Sequence, residues 1–321
     1  MSEKIAVIGS SFVDCKSYLQ EEYNPQGRNY GTVEVVHGGI GRNIAVNMAD
    51  LEFNVSFIST IDNSSFGHDF LEKLNKKNIN TEHILPINDK GMGFWMAIVN
   101  PDGLLQTSVT QLPDIKHLET YIDKYAEKFA RLYQTVLLEL DLSEKITSKM
   151  INACKKNKRS LFVYSANAEF AITDDSLLQD LACFVINEEV ASKMFDEDVA
   201  DIEVHIVQKR LKEFVQNHNI QRGIVTLSQR GSVFYDNLHN QSGYIEPFEV
   251  TVVDTSGAGE ALFSATAAGL LQGVILKDAI AIGAEYAGIA IAQASNNPRE
   301  KEGKEKVKQK IREKIKSETD Q

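Results

Sequence analysis

Residues 254–260, Asp-Thr-Ser-Gly-Ala-Gly-Glu, form the segment of this chain with the clearest chemical potential. A helix-forming pattern follows them directly. Gly257, Ala258 and Gly259 leave backbone N–H groups unobstructed at the start of that helix, where the helix dipole adds partial positive charge. Such a loop can hold a phosphoryl group while the Glu260 carboxylate accepts the proton of an attacking hydroxyl. The same residues would also suit a tight strand-to-helix connection whose first-turn acid is stabilised by the dipole.

A second glycine cluster, His-Gly-Gly-Ile-Gly-Arg-Asn at residues 37–43, also opens a helical pattern. Gly39 and Gly41 would let a polyhydroxylated ligand approach the backbone, and Asn43 offers both a donor and an acceptor to neighbouring hydroxyls. Asp14 follows the first predicted strand closely and could accept hydrogen bonds from two hydroxyls, or could cap a turn or helix. Together these residues predict a site for a molecule with several hydroxyl groups.

Two familiar nucleotide-binding motifs do not occur in the sequence. There is no Gly-x-x-x-x-Gly-Lys-Ser/Thr loop, so the loop at residues 254–260 carries no lysine of its own. Neither glycine cluster matches the dinucleotide pattern Gly-x-Gly-x-x-Gly, which disfavours a nicotinamide enzyme.

The elements that must position these residues alternate between strand and helix along most of the chain, which is typical of a parallel sheet covered by helices. The predicted strands are residues 5–8, 55–60, 135–140, 160–163, 183–186 and 223–226, and the predicted helices are residues 43–51, 66–78, 143–157, 200–217, 261–271 and 278–294.

Two stretches interrupt this alternation, at residues 14–37 and 91–110, and both have extended, hairpin-like patterns. The turn sequence Asn-Pro-Asp-Gly at residues 100–103 divides the second stretch. Open α/β folds bind ligands at the carboxyl ends of their strands, so an antiparallel flap laid there would act as a lid.

Composition sets limits on the partners of the 321-residue chain. Hydrophobic residues make up 43% and charged residues 25%, which excludes collagen-like and wholly disordered chains. The net charge is −11, yet the tail from Arg299 onward has nine Lys and Arg residues against six Asp and Glu residues, which leaves −14 on the rest. An acidic body repels nucleic acid and anionic membranes. The tail is predicted to be a solvated helix rather than a nucleic-acid-binding arm.

The lack of a targeting signal and the spacing of the cysteines predict a reducing, cytoplasmic setting. The N-terminus lacks the basic and apolar regions of a secretory signal, and no apolar run approaches the roughly 20 residues of a membrane span. Cys15, Cys154 and Cys183 are odd in number and lack the close spacing of zinc ligands, so buried or idle thiols are expected.

Three motifs together resemble the ribokinase or PfkB family of carbohydrate and nucleoside kinases: Gly-Ser-x-x-x-Asp at residues 9–14, Gly-Gly-x-Gly-x-Asn at 38–43, and the loop at 254–260. The resemblance extends from Ile5 to about Ala294. Residues 39–45 and 296–298 are most similar to pseudouridine kinases. The resemblance implies a doubly wound, mostly parallel α/β sheet with helices on both faces and a small β lid, which often forms a homodimer contact. It also implies a kinase domain at residues 1–298, the lid segments inserted in it, and a separate charged tail at 299–321.

The function implied by the resemblance is ATP-dependent phosphorylation of a primary hydroxyl on a ribose-like sugar or nucleoside, with pseudouridine favoured and Mg²⁺ bridging the ATP phosphates. Glu260 would be the base and residues 257–259 the anion hole. The resemblance assigns the sugar hydroxyls to Asp14, Gly39, Gly41, Asn43 and Asp141. It assigns the nucleotide to Asn187, Thr226, Ser228 and Gly231. Some members also bind a monovalent cation such as K⁺, at positions that correspond to Asp254 and Ser256.

The sequence also departs from the family pattern around the phosphate site. Glu260 stands where the family has Asp. One added methylene moves the carboxylate by roughly 1.5 Å. A misplacement of about 1 Å can lower the rate on the order of 10²-fold. Val190 replaces the acid of Asn-x-x-Glu, Ser228 replaces a glycine, and Tyr164-Ser165 replaces the Asp-Pro of pseudouridine kinases. An active kinase is the leading hypothesis. The alternatives are a related protein that binds a sugar or nucleoside as a sensor without fast phosphoryl transfer, and another α/β small-molecule enzyme.

Overall fold

The computed structural model describes residues 4–167, 175–252, 254–292 and 301–319. The strands are β1 (Lys4–Ile8), β2 (Phe12–Leu19), β3 (Gly31–Gly38), β4 (Asn54–Asp62), β5 (Ile84–Ile87), β6 (Gly93–Val99), β7 (Leu105–Gln111), β8 (Thr135–Glu139), β9 (Ser160–Ser165), β10 (Cys183–Asn187), β11 (Arg222–Thr226), β12 (Ser232–Asp236) and β13 (Gln241–Ile245). The helices are α1 (Ile40–Asp50), α2 (Ser65–Lys76), α3 (Lys116–Leu132), α4 (Glu144–Asn157), α5 (Glu188–Phe195), α6 (Val204–Asn217), α7 (Ala258–Leu271), α8 (Leu276–Ile291) and α9 (Lys301–Thr319).

Nine strands form one large sheet in the order β13-β12-β11-β10-β9-β8-β1-β4-β5. The strands from β11 to β5 are parallel, and β12 and β13 extend the sheet as an antiparallel edge. From β1 the chain runs outward to β4 and β5, whereas β8 lies on the other side of β1 and the chain continues from it in the opposite direction. Ligands of open α/β sheets bind in the crevice at such a change of direction.

The parallel strands form because their apolar runs can be buried on both faces. In β1, Ile5 and Val7 join one core with the buried side chains of α1, α7 and α8, while Ala6 and Ile8 join a second core with α3, α4 and α6. Side chains alternate across a strand, so a continuous apolar run supplies both cores. Helices on both faces of a mostly parallel sheet confirm the predicted fold class.

A second sheet has four strands in the order β3-β2-β6-β7 and lies where the sequence predicts a lid. Asp14 of β2 pairs with Trp95 of β6, which pairs with Thr110 of β7, and this row faces the crevice of the large sheet. The opposite face is apolar and exposed. It carries Val33, Val35, Met96 and Val109, of which Val109 is 68% exposed.

The predicted strands and most predicted helices occur within a few residues of their expected bounds. The sequence analysis missed α3, although its five buried side chains recur at helical spacing, and it missed α5, β5 and the antiparallel edge β12–β13. It predicted a solvated C-terminal helix. The structure has a helix, α9, but buries its Val307 and Ile311 in the core that α8 shares.

Ion pairs explain why the lysine-rich α9 packs against the acidic body. Lys306 and Lys310 both contact Glu285 of α8, and Lys304 and Lys77 both contact Asp50 at the end of α1. Lysines of the basic tail are therefore paired with carboxylates of the acidic body. No helix within the described ranges is long and apolar enough to cross a membrane.

Candidate active site

A cavity of about 400 Å³ lies at the carboxyl ends of β1 and β8, beneath the inner face of the small sheet. Seven parts of the chain contribute to it: the turn after β1, the small sheet, the start of α1, the segment between β7 and α3, the end of β8, the segment after β9, and the loop before α7 with the start of that helix. Its lining includes seven of the residues predicted for the site: Asp14, Gly39, Asn43, Asp141, Ser256, Gly257 and Glu260.

Two adjacent glycines, Gly38 and Gly39, lie beside the polar residues of the cavity. The Asp14 carboxylate lies against the backbone of Gly38, where a Cβ would stand 2.2 Å from one of its oxygens. Gly39 has φ +100°, and a Cβ there would lie 2.6 Å from the carbonyl oxygen of Ser10. Both positions therefore require glycine, because any side chain would displace Asp14 or the turn after β1. Asn43, one turn into α1, also lines the cavity.

Gly41 has a different place from the one predicted for it. A Cβ at Gly41 would lie 2.4 Å from the Cα of Gly9, so this glycine lets α1 approach the turn after β1. Its N–H donates to Oε2 of Glu139 at 2.9 Å. Gly41 thus positions the cavity wall without lining the cavity.

Glu139, at the end of β8, was not predicted as a site residue, yet it holds the two glycine segments together. Its carboxylate accepts hydrogen bonds from the N–H of Ser10 at 2.7 Å, the hydroxyl of Ser10 at 2.9 Å and the N–H of Gly41. Burial raises the pKa of Glu139 to about 8, and Asp141 adds to the increase, against the effect of these hydrogen bonds. The only signal in the sequence was an acid at the end of an apolar strand.

We expect Glu139→Gln to fold about as well as the wild type and to remove a pH dependence of stability. A carboxyl group with a raised pKa in the folded state binds its proton more tightly there, so its contribution to stability is lost as pH rises from about 4.5 towards about 8. Urea unfolding at pH 5, 7 and 9 measures this: the free energy of unfolding of the variant should improve relative to wild type as pH rises.

Glu139→Ala is the matched control, because it removes every acceptor from buried donors and should lose about 2–4 kcal/mol at all three pH values. A Glu139→Gln variant that is destabilised equally at each pH would contradict the assigned role of the carboxyl proton.

Asp141 lies on the cavity, as predicted, but both of its oxygens have protein partners. One accepts from the hydroxyl of Ser165, and the other accepts from the N–H groups of Ala166 and Asn167 at 2.9 and 3.1 Å. Burial raises the pKa of Asp141 to about 6 against the effect of these three donors. Asp141 therefore fixes the segment after β9, and only its remaining lone pairs face a ligand.

The predicted anion hole is a left-handed turn at the start of α7. Gly257 has φ +82°, which favours glycine, and it precedes the first residue of the helix. The N–H of Ala258 donates weakly to the carbonyl of Thr255 at 3.3 Å. In the described part of the chain, the N–H groups of Gly257 and Gly259 have no acceptor, so both are available to an anionic ligand.

Gly259 lacks a side chain for a reason that the sequence did not reveal. A Cβ at Gly259 would lie 1.9 Å from the hydroxyl oxygen of Tyr164, which is buried and stacks on Phe263 of α7. The tyrosine at the end of β9 thus sets how closely residues 254–260 approach the sheet; this segment is called the phosphate loop, after its predicted role.

We expect Gly259→Ala to lower stability by about 1–3 kcal/mol, because the added methyl overfills this contact. Tyr164→Phe in the same chain should restore part of the loss, since the nearest atom to the methyl would then be the ring Cζ at 3.0 Å. Thermal or urea unfolding of both single variants and the double variant gives the coupling energy. Strictly additive losses would show that the hydroxyl is not the obstacle.

Glu260 lies where the sugar-side residues and the phosphate loop meet. Its Oε1 accepts a hydrogen bond from Nδ2 of Asn43 at 3.3 Å. Burial raises the pKa of Glu260, the charges of Asp14 and Asp141 add to this, and hydrogen bonds from its own N–H and from Asn43 oppose it. A raised pKa brings a carboxylate closer to the range in which a general base works near neutral pH.

A lysine that sequence reasoning missed reaches the phosphate loop from the small sheet. Nζ of Lys16, on the inner face of β2, donates to Oδ2 of Asp254 and to the hydroxyl of Ser256 at 3.1 Å. Its side chain is only 6% exposed. Burial acts to raise the pKa of Asp254, but the hydrogen bonds from Lys16 and from the N–H of Ser256 hold that pKa below its usual value. Nothing in the local motif could have indicated Lys16, because 238 positions separate it from Asp254.

The four predicted nucleotide-binding residues lie farther along the same edge of the sheet and do not line the cavity. Asn187 caps α5: its side chain accepts from the N–H of Val190 and donates to the carbonyl of Ala166, both at 2.9 Å. Ser228 follows β11 with φ +51°, so the backbone keeps a left-handed conformation that favours glycine. Thr226 ends β11, and Gly231, with φ +80°, precedes β12.

Comparison with known proteins identifies the family to which this fold belongs. Residues 2–301 match the pfkB family of carbohydrate kinases, to which the chain therefore belongs. The guanosine-inosine kinase of Exiguobacterium acetylicum is 32% identical over 295 residues, which cover 91% of this chain and 96% of that protein. The pseudouridine kinase of Escherichia coli K12 is 21% identical over 309 residues, which cover 93% of this chain and 94% of that protein.

A solved structure has the same fold. The ribokinase of Arabidopsis thaliana, complexed with ribose and ATP, superimposes with a TM-score of 0.78 at 17% identity, covering 96% of this chain and 99% of that one. The chain is thus a sugar or nucleoside kinase of the PfkB family. Of the two strings that resemble pseudouridine kinases, residues 39–45 form the start of α1, and residues 296–298 lie outside the described residues.

Proposed function

We propose that this protein transfers the γ-phosphoryl group of ATP to the primary hydroxyl of a ribonucleoside. The observation that carries the proposal is the composition of the cavity. Part of its lining is polar and includes Asp14, Asn43 and Glu260. Another part is apolar. A nucleoside has two corresponding parts, a hydroxylated sugar and a flat base whose faces pack on apolar side chains.

The apolar part of the lining supports a nucleoside over a free pentose. It consists of aromatic and aliphatic side chains: Phe12, Trp95, Leu112, Pro113, Ile115 and Leu142. A pentose offers only a small apolar surface to such a lining, whereas the larger flat face of a base packs well on an aromatic ring. The volume of about 400 Å³ lies within the usual range for pockets that enclose small molecules.

In the proposed mechanism, Asp14 and Asn43 hold the ribose hydroxyls so that the primary hydroxyl lies against Glu260. The carboxylate of Glu260 takes the proton as the hydroxyl oxygen attacks the γ-phosphorus atom of ATP. The bond from that phosphorus to the β,γ-bridging oxygen breaks, and ADP leaves with the bonding electron pair. The free N–H groups of Gly257 and Gly259 and the dipole of α7 stabilise the charge that develops on the transferred group. The small sheet would close over the substrate and exclude water, which suppresses hydrolysis of ATP.

ATP would lie along the carboxyl ends of β10 and β11, bordered by Thr226, Ser228 and Gly231. Both ends of the Asn187 side chain already bind backbone groups, so it would shape this region without contacting phosphate directly. Within the described ranges no cluster of three or more His, Cys, Asp or Glu side chains could hold a metal ion. Mg²⁺ would therefore arrive bound to the ATP phosphates, whose charge it neutralises.

A coupled assay of ADP release tests the proposal with guanosine, inosine, pseudouridine, uridine and ribose as acceptors. Pseudouridine was favoured from the sequence, whereas the greater identity to a guanosine-inosine kinase favours a purine nucleoside. We expect nucleosides to exceed ribose in kcat/KM. Equal ADP release with and without any acceptor would overturn the proposal.

A second candidate function is supported by the phosphate side of the site. Val190 stands where the family has an acid, and it is fully buried, so this position offers no group to a metal or phosphate. A protein that binds a nucleoside without fast phosphoryl transfer would act as a sensor. Calorimetric nucleoside binding with no ADP release from any acceptor would favour this reading over the kinase.

We also propose that the exposed apolar face of the small sheet forms a homodimer. Four exposed side chains, Val33, Val35, Met96 and Val109, lie on this face. Paired positions form a row across its four strands, from Val35 through Cys15 and Met96 to Val109. Sedimentation velocity tests this, and a monomer at all concentrations would exclude it.

A further inference from the structure

We propose that the Lys16 ammonium serves as a built-in monovalent cation at the phosphate loop, so that the protein needs no K⁺. The inference concerns Lys16, Asp254 and Ser256. It rests on the proposed function only where turnover is measured, because its effects on stability do not require catalysis.

The first observation is the position of the ammonium group. Nζ of Lys16 contacts the carboxylate of Asp254 and the hydroxyl oxygen of Ser256. These are the two residues that the family resemblance assigns to a monovalent cation. An ammonium group carries the same single positive charge as K⁺ and binds the same kind of oxygen atoms. The charge that a bound ion would supply is therefore already present in the chain.

The second observation is that the ammonium is held in place. The side chain of Lys16 is almost fully buried, and β2 is fixed by β3 on one side and β6 on the other. A K⁺ ion at the same oxygens would have to displace this buried ammonium or lie beside it, and two like charges in a buried site repel strongly. The residues of this loop therefore do not fit K⁺.

The third observation is what the cation does to the loop. Asp254 binds Lys16 through one oxygen and the N–H of Ser256 through the other, at 2.9 Å. The ammonium thus fixes Asp254 and Ser256, just before Gly257, which lines the cavity. It also neutralises a carboxylate that would otherwise repel a phosphoryl group at the start of α7.

Lys16 further links the two halves of the site. Asp14, proposed to hold the sugar, lies two residues before it on the same face of β2, and Ser256 borders the phosphate loop. A free ion would leave these parts unconnected. A covalently attached cation joins the position of the small sheet to the geometry of the anion hole.

Measurements on the wild-type protein in buffers that differ only in their monovalent cation test the proposal. Thermal midpoint, calorimetric ADP affinity and turnover are compared in K⁺, Na⁺ and tetramethylammonium chloride at equal ionic strength. We expect each affinity and rate to agree within about twofold across the three salts. A tenfold or greater gain of ADP affinity, or a clear rise of thermal midpoint, that occurs in K⁺ alone would overturn the proposal.

Two variants sharpen the test. Lys16→Ala opens space beside Asp254, so K⁺ should raise its thermal midpoint and its ADP affinity, the latter by about tenfold, over Na⁺. Lys16→Met fills the space and should gain nothing from K⁺. Lys116→Met, at an exposed lysine that begins α3, is the control and should behave as wild type. A Lys16→Ala variant that folds and ignores K⁺ in both measurements would contradict the assignment, whether or not any nucleoside is phosphorylated.

Discussion

Replacing Glu260 with glutamine is expected to lower kcat for nucleoside phosphorylation by about 10²- to 10⁴-fold, the usual contribution of a general base. Glutamine keeps the size of the side chain and can still contact Asn43, so nucleoside affinity should change by only a few fold. Steady-state kinetics give kcat, and calorimetry gives the dissociation constant. Retention of more than a tenth of kcat would show that another group accepts the proton.

The pH profile of the wild type provides an independent check on Glu260. Its carboxylate must be ionised to accept a proton, and burial raises its pKa above the usual value. The rate should therefore fall as pH is lowered through that raised pKa, and this limb should be missing in Glu260→Gln. Glu260→Asp restores the acid found in the family, and its rate should lie well above that of the glutamine variant. An aspartate variant as inactive as the glutamine variant would place the defect in geometry rather than in proton transfer.

Replacing Asp14 with asparagine is expected to raise the KM for the nucleoside by about 10- to 100-fold. Hydrogen bonds to a charged group contribute about 1.5–3 kcal/mol each, and about 1.4 kcal/mol corresponds to a tenfold change in affinity. The carboxylate is nearly buried on the inner face of β2, so few water molecules can replace the lost interactions. Steady-state kinetics and calorimetric binding measure the effect, and kcat at saturation should fall much less than KM rises.

Gly38→Ala is the matched variant for Asp14, because it leaves the carboxylate in the chain but moves it. A Cβ at this position would lie 2.2 Å from a carboxylate oxygen of Asp14. The variant should therefore raise KM in the same direction as Asp14→Asn, although the charge is unchanged. An unaltered KM in both variants would remove Asp14 from the proposed sugar site.

Local patterns were sufficient to predict six of the seven parallel strands of the large sheet. The parallel strands are apolar runs buried on both faces, and their periodicity needs no knowledge of their neighbours. The importance of the glycines at residues 38, 39 and 257 could be inferred because a left-handed backbone or a close approach to the backbone requires a residue without a side chain. The helix α3 was missed although its buried side chains, at positions 118, 122, 126, 129 and 130, recur at helical spacing. The buried face of α9 was missed because its apolar residues are scattered among lysines that form ion pairs with a distant part of the chain.

The sequence by itself determined the fold class, the phosphate loop and the carboxylate of Glu260, because each depends on a short run of neighbouring residues. Only the tertiary structure decided which residues support that loop. Lys16 and Glu139 are lone ionisable residues within apolar or mixed strands, and they acquire their roles only when the fold brings them to Asp254, Ser10 and Gly41. A buried ionisable group must find hydrogen-bond partners, and for both residues those partners lie more than 90 positions away in the chain. The same physical requirement thus fixes the site, while the identity of each partner depends on the fold.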